Sequence, residues 1–242
     1  MKFHVYENAH AMSEGAADWI ADYVTNRLHV SQTFSLLLSG GNTPKELYRT
    51  LAGGSYNINW ERINIFFGDE RAVPFGDEHN NGSMAYELLL KNSGMPSSQI
   101  HYIDTSLGRE ESASQYEQML HNYFTDDGVT FDLALLGMGN DGHTLSLFPG
   151  QRQVHEQSKW VVTSEAPESP VERISLTSAI VNRSACIAFL VAGIGKAKIF
   201  DSVIRGKYDP DLFPVQIIKN HPENIHLFTD RDAIAEVLKN TA

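Results

Sequence analysis

Four short stretches carry apolar residues at almost every position: FSLLL at 34–38, INIFF at 63–67, FDLALLG at 131–137 and CIAFLV at 186–191. A strand with one wet face alternates apolar and polar residues, whereas near-continuous runs of this length fit strands buried on both faces. Shorter runs at 3–6, 160–163 (WVVT), 173–177 (RISLT) and 225–228 (IHLF) extend the strand series, and IHYI at 100–103 is too short to assign. Between them the period changes. Met12, Ala16, Ile20, Tyr23 and Arg27 form a helical stripe, SMAYELLLKNSG reads as a helix closed by Gly94, and helices are expected over 110–124, from Lys196 to Arg205, and from Asp230 onward. Strands that alternate with helices predict an α/β fold, with a single doubly wound, mostly parallel sheet flanked by helices. At 242 residues the chain suits one domain over 1–242.

In such a sheet ligands bind beyond the carboxyl ends of the strands. The segments in those places are chemically unusual: SGGNTP after Leu38, GDERAVP after Phe67, GMGNDGHTLSLFPG after Leu136 and AGIGKAK after Val191. The first is a tight strand-to-helix turn, Gly40 to Asn42, followed by Thr43 and Glu46 spaced as a capping box with Pro44 at the first helical position. Bare glycine backbone beside a helix start offers N–H donors and partial positive charge, a setting for an anion such as phosphate. An ordinary αβ turn has the same look, and no Gly-Lys-Ser/Thr follows to make it a Walker loop.

Charge narrows the ligand. With 19 Lys+Arg against 30 Asp+Glu the net charge is −11, which argues against nucleic acid or an anionic membrane surface as partner. An anion would need a local cation cluster, for which Lys196 and Arg173 are candidates. The lone cysteine, Cys186, lies inside an apolar run, so neither an internal disulfide nor a zinc-cysteine site is expected. No HExxH or comparable spacing appears, and no metal or cofactor is expected. Without a secretion-signal pattern or a run of about 20 apolar residues, a soluble cytoplasmic protein is expected.

Gly137, Gly139 and Gly142 spell GxGxxG after a strand, yet Pro149 and Gly150 arrive too soon for the long helix that a dinucleotide site requires. Those glycines instead bring backbone close to a ligand beside His143. Imidazole exchanges protons near neutral pH, which makes His143 the candidate general base or acid, with Asp141 available to orient it. Asp69 would position or deprotonate a ligand, and Arg71 would bind an oxyanion or polarise a carbonyl. With no GxSxG elbow, activated water or a proton shuttle is the expected chemistry.

SGGNTP, GDERAVP, GMGNDGHTLSLFPG, ERISLT and GIGKAK, in this order, resemble the 6-phosphogluconolactonase family, whose NagB/RpiA/CoA-transferase-like fold is shared with glucosamine-6-phosphate deaminase. The resemblance implies hydrolysis of 6-phospho-D-glucono-1,5-lactone, with His143 as the base that activates water, Arg71 as an active-site arginine and Asp69 as the acid before it. It also implies a phosphate loop at Gly40, Gly41, Asn42 and Thr43, with Arg173 and Lys196 as phosphate cations. The expected partner is a small sugar-phosphate lactone, bound by a monomer or weak homo-oligomer. Asn42 and Leu145 depart from the commoner serine and alanine, and HNNGSM keeps Asn81 while changing its neighbours. The alternatives are a sugar-phosphate isomerase or deaminase, which usually carries DEY and a carboxylate after the histidine segment, and a catalytically silent sensor, which would lack His143 or Arg71. This chain has Arg71 in place of the tyrosine, and Phe148 and Pro149 without an acid.

Overall fold

A computed structural model describes residues 1–53, 56–125 and 128–239. Strand β1 (Lys2–Tyr6) leads through Asn8, whose side chain accepts from Ala11 N, into α1 (Ala9–Leu28). There follow β2 (Phe34–Leu38), α2 (Pro44–Ala52), β3 (Ile63–Phe67), β4 (Asp69–Arg71), α3 (Asn81–Leu88), β5 (Ile100–His101) and α4 (Arg109–Tyr123). The second half runs β6 (Leu133–Gly137), β7 (Val161–Glu165), β8 (Glu172–Leu176), α5 (Ser178–Val181), β9 (Ile187–Val191), α6 (Ala197–Arg205), β10 (Ile225–Asp230) and α7 (Ala235–Lys239).

Seven strands form one sheet in the order β1-β10-β9-β6-β2-β3-β5, paired in parallel throughout. From β2 the chain builds outward through β3 to β5, then returns to place β6 on the other side of β2 and builds the opposite way through β9 to β10. The order therefore reverses between β2 and β6, and the crevice beyond such a reversal is where open α/β sheets bind ligands. Every residue of β2 and β9 is buried, as expected where helices cover both faces. On α1, Met12, Ala16, Ile20 and Val24 pack into the core. Tyr23 and Arg27, the polar members of that stripe, hold Asp132 instead: Tyr23 Oη donates to its carbonyl, and Arg27 Nη2 lies 2.7 Å from its carboxylate. Asp132 then accepts from Ser35 N at 2.9 Å, tying the start of β6 to β2. Core packing of this kind makes truncation of fully buried Phe34 cost about 3–5 kcal/mol.

Four expectations need adjustment, the first being the helix expected to run to Gly94, since α3 ends at Leu88 and a separate 3-10 turn follows at Leu90–Asn92. β7 and β8 leave the main sheet and form, with β4, a three-stranded antiparallel sheet in the order β4-β8-β7. Apolar content reveals a buried strand but not its partner. Thr43 makes no capping hydrogen bond, and its φ of −58° and ψ of −44° are already helical. Its intended capping-box partner, Glu46, is engaged by His10 Nδ1 at 2.5 Å. The final helix starts at Ala235 rather than Asp230, because Asp230 ends β10 and its carboxylate accepts from Gly193 N and Ala233 N. Cys186 is buried. No described helix is long and apolar enough to cross a membrane.

Candidate active site

At the reversal between β2 and β6 lies a cavity of about 310 Å3. The turn after β2 supplies Ser39 to Pro44, β4 supplies Asp69 and Arg71, the segment after β6 supplies Met138 to Leu145 in part, and Lys196 closes the far side. Gly41 has φ +87°, a conformation that costs glycine little. The adjacent Gly40 has no room for a side chain, since the carboxamide of Asn81 packs on its α-carbon. The backbone of the loop and the first turn of α2 thus face the cavity. Ser39 Oγ is shut from solvent without a hydrogen-bond partner among the described residues.

Beyond β6 the chain forms no long helix. The next helical element is a 3-10 turn at Arg152–His155, so GxGxxG does not open a dinucleotide-binding unit. The glycines serve the local fold. Gly142 takes φ +83°, and a side chain at Gly139 would overlap the His143 ring and the Asp141 carboxylate. In the space so kept, His143 Nδ1 lies 2.6 Å from Asp141 Oδ1, and the same oxygen accepts from His143 N at 3.1 Å. The carboxylate makes Nδ1 the donor, leaving the lone pair on Nε2. Phe148 backs the imidazole with ring centroids 4.6 Å apart. Burial pushes the Asp141 carboxyl up, but the hydrogen bond and charge of His143 outweigh it and hold the group below its ordinary value.

The proposed cations divide between two spaces. Lys196 sits at the start of α6, in the cavity with the Gly40 to Thr43 turn, and its Nζ donates to Met138 O at 2.6 Å. Burial lowers its pKa, and the charge of Asp141 works against that. Arg173 lines a second cavity of about 520 Å3 instead, which lies on the other side of Asp69, Arg71 and His143. There it donates through Nη1 to Pro170 O, and burial followed by the charge of Arg71, its register partner across β4 and β8, lowers its pKa. Arg71 belongs to both cavities; its Nη1 donates to His79 O at 2.8 Å, while its buried Nε has no partner among the described residues. Asp69 also reaches both, and Ser146 Oγ donates to it at 2.6 Å. It is therefore Asp141, not Asp69, that lies against the imidazole.

Sequence reasoning gave no role to Glu70, Ser146 or Phe148. Only once Asp69–Arg71 is known to be a strand does alternation turn residue 70 away from the ligand that its neighbours face.

Known proteins place this cleft in a family. The family model described as glucosamine-6-phosphate isomerases/6-phosphogluconolactonase matches residues 7–227. A probable 6-phosphogluconolactonase 3, chloroplastic, of Oryza sativa subsp. indica is 34% identical over 244 residues, covering 96% of this chain and 74% of its own length. The 6-phosphogluconolactonase of Synechocystis sp. is 32% identical over 224 residues, covering 91% of this chain and 92% of its own. Among solved structures, the crystal structure of a devB protein superposes with a TM-score of 0.87 at 31% identity, over 98% of this chain and 99% of that one. The chain belongs to the family of glucosamine-6-phosphate isomerases and 6-phosphogluconolactonases.

Proposed function

We infer that this chain is a 6-phosphogluconolactonase, a hydrolase that opens 6-phospho-D-glucono-1,5-lactone to 6-phospho-D-gluconate in the pentose phosphate pathway. The observation that carries the reading is the joining, in one cavity, of His143, whose Nδ1 is held by Asp141 from behind, with the Gly40 to Thr43 turn and Lys196. The substrate is an ester with a dianionic tail, and the two halves of the cavity answer its two halves.

In this reading the phosphate lies on the backbone N–H groups of Gly41, Asn42 and Thr43 at the start of α2, with Lys196 as counter-charge. Arg173, housed in the neighbouring cavity, is a phosphate cation only if its guanidinium turns from Pro170 toward this turn. The lactone carbonyl then faces His143. Water adds its oxygen to the acyl carbon as Nε2 takes its proton, and Asp141 holds the imidazolium that forms. Arg71 steadies the tetrahedral oxyanion. Collapse of that intermediate breaks the bond to the ring oxygen, which recovers the proton from Nε2. No bond in the sequence needs oxidation or a bound group beyond substrate and water.

Residues 1–242 act as one domain in this reading, supported by a hydrophobic cluster that runs from α1 through the main sheet to Ile174 and Leu176 of the small one. The isomerase or deaminase chemistry of the wider family asks for a further carboxylate after the histidine, and residues 144–150 contain none. Parallel assays decide between the two: purified protein is given freshly made phosphogluconolactone, followed by acid release, and glucosamine 6-phosphate, followed by ammonia release. Lactone opening well above the spontaneous rate with no ammonia is expected; the converse result overturns the assignment.

A further inference from the structure

Glu70 stands between two cleft residues, yet it is 2% exposed and points away from the cleft. Burial pushes its carboxyl up to about 7, against three main-chain N–H donors that favour the charged form. The geometry of those donors is specific. Oε1 accepts from Arg71 N at 2.8 Å and Asn81 N at 2.7 Å, and Oε2 accepts from Gly82 N at 2.8 Å. Arg71 ends β4, and Asn81 and Gly82 open α3, so a single carboxylate joins both ends of the intervening 72–80 loop. The interior of that loop is fastened too: Asn80 caps α3 by accepting from Ser83 N at 2.7 Å, and Arg71 Nη1 reaches His79 O.

We propose that Glu70 is a positioning residue that aims the Arg71 guanidinium into the cleft by clasping the two ends of the 72–80 loop. Arg71 hangs between two points that the clasp controls, its own backbone N–H and the carbonyl of His79. The same clasp extends to the anion-binding turn. Asn81, held by Glu70 through its N–H, donates from Nδ2 to Asp69 O at 2.9 Å and packs its carboxamide on Gly40. One buried carboxylate therefore bears on the relative placement of the β4 end, the α3 start and the loop after β2.

The substitution Glu70→Gln keeps shape and removes charge. One of its two terminal atoms becomes a donor, which must face a main-chain donor in either amide orientation. An unmatched N–H pair moves the loop ends apart, and displacements on the order of 1 Å at a catalytic group reduce rates by about 10²-fold. This inference rests on lactone hydrolysis as the reaction, and its test is a double-mutant cycle with Arg71→Ala, read as kcat/KM. With Arg71 present, Glu70→Gln is expected to lower kcat/KM by about ten- to hundredfold; in the Arg71→Ala background the same change is expected to cost several-fold less, the remainder passing through Asn81 to the Gly40 turn. Equal losses in both backgrounds, or an undiminished kcat/KM in Glu70→Gln alone, overturn the proposal. Where Glu70→Gln fails to fold, Glu70→Asp, which retains charge but withdraws it by one methylene, enters the same cycle with the same expectations. If the wild type does not open the lactone, the functional reading fails by itself, and the cycle is then read on the dissociation constant of 6-phosphogluconate by calorimetry. Coupling to Arg71 in that measurement upholds the clasp, and additivity rejects it.

Discussion

Two of the partnered imidazoles in this molecule, one in the cleft and one at the sheet edge, are made opposites by their surroundings. In the cleft, His143 faces the Asp141 carboxylate at 2.6 Å. At the edge of the main sheet, where β1 pairs with β10, His4 Nε2 lies 2.9 Å from His226 Nδ1, with both rings stacked among Trp19 and Phe228. A carboxylate stabilises a proton that arrives on the ring. A second imidazole in an aromatic stack does the reverse, because the hydrogen bond between two rings needs one bare nitrogen. Burial first, then His4 and Lys2, push His226 down to about 4. The same side chain thus becomes a proton carrier in one setting and a neutral packing element in the other, and the partner decides which.

The comparison breaks most sharply at its catalytic side. Replacement His143→Ala removes the imidazole that lines the cavity with the anion-binding turn, and is expected to lower kcat by about 10²–10⁴-fold. Affinity for 6-phosphogluconate, measured by calorimetry, should stay within a few-fold, since the ring contributes to the reacting end rather than to the charged tail. Retained turnover would show that the proton goes elsewhere. A smaller effect of the other kind is expected for Lys196→Ala. Loss of a charge-assisted hydrogen bond of about 1.5–3 kcal/mol raises the dissociation constant by roughly ten- to hundredfold. The change should appear in KM with both the lactone and inorganic phosphate as competitor. An unaltered KM would detach Lys196 from the phosphate.

Much of this contrast was legible in the chain before any coordinates. β2, β3, β6 and β9 are buried almost throughout, so their apolar runs declare them, and the unusual residues at their carboxyl ends mark the cleft. His143 and Asp141 stand two apart around Gly142, so their pairing follows from a short turn. Other features had no local signal. β4 is the three polar residues Asp69–Arg71, and its pairing to β8 depends on a segment about a hundred positions later, so neither its existence nor the inward turn of Glu70 shows in apolar periodicity. Charge and the resemblance offer Arg173 as a phosphate cation but give it no direction; register opposite Arg71 seats it in the second cavity, which shares Asp69, Arg71 and His143 with the first. The capping box at Thr43 failed for a similar reason, since Glu46 had a tertiary partner, His10, that local spacing does not reveal. The His4–His226 stack was equally hidden, being formed by residues 222 apart in sequence.

That hidden stack gives the smallest expected effect, and it tests the other half of the comparison. A histidine whose folded pKa lies below its unfolded value of about 6.5 contributes stability that is fully present above pH 6.5 and is lost as the pH falls toward the folded value, because the unfolded chain then binds the proton more readily. For His226 that window runs from 6.5 down to about 4. His4, also lowered by burial and Lys2, adds in the same direction. Glu70, whose carboxyl burial raises to about 7, titrates across the same range, so the absolute melting temperature of the wild type does not isolate the pair. A difference does. The double substitution His4→Phe with His226→Phe keeps aromatic stacking against Trp19 and Phe228 while removing both protonation sites, and replacing both members of a partly buried polar pair by apolar groups of similar shape is close to neutral for stability. Melting temperatures of wild type and double variant should therefore lie close together at pH 7.5 and separate by a few degrees at pH 5, the variant being the more stable. Lactone turnover at pH 7.5 should be unchanged, since neither residue lines the cleft. A gap that does not vary with pH would mean that the sheet-edge imidazoles accept protons as readily as those of the unfolded chain, and the contrast with His143 would rest on catalysis alone.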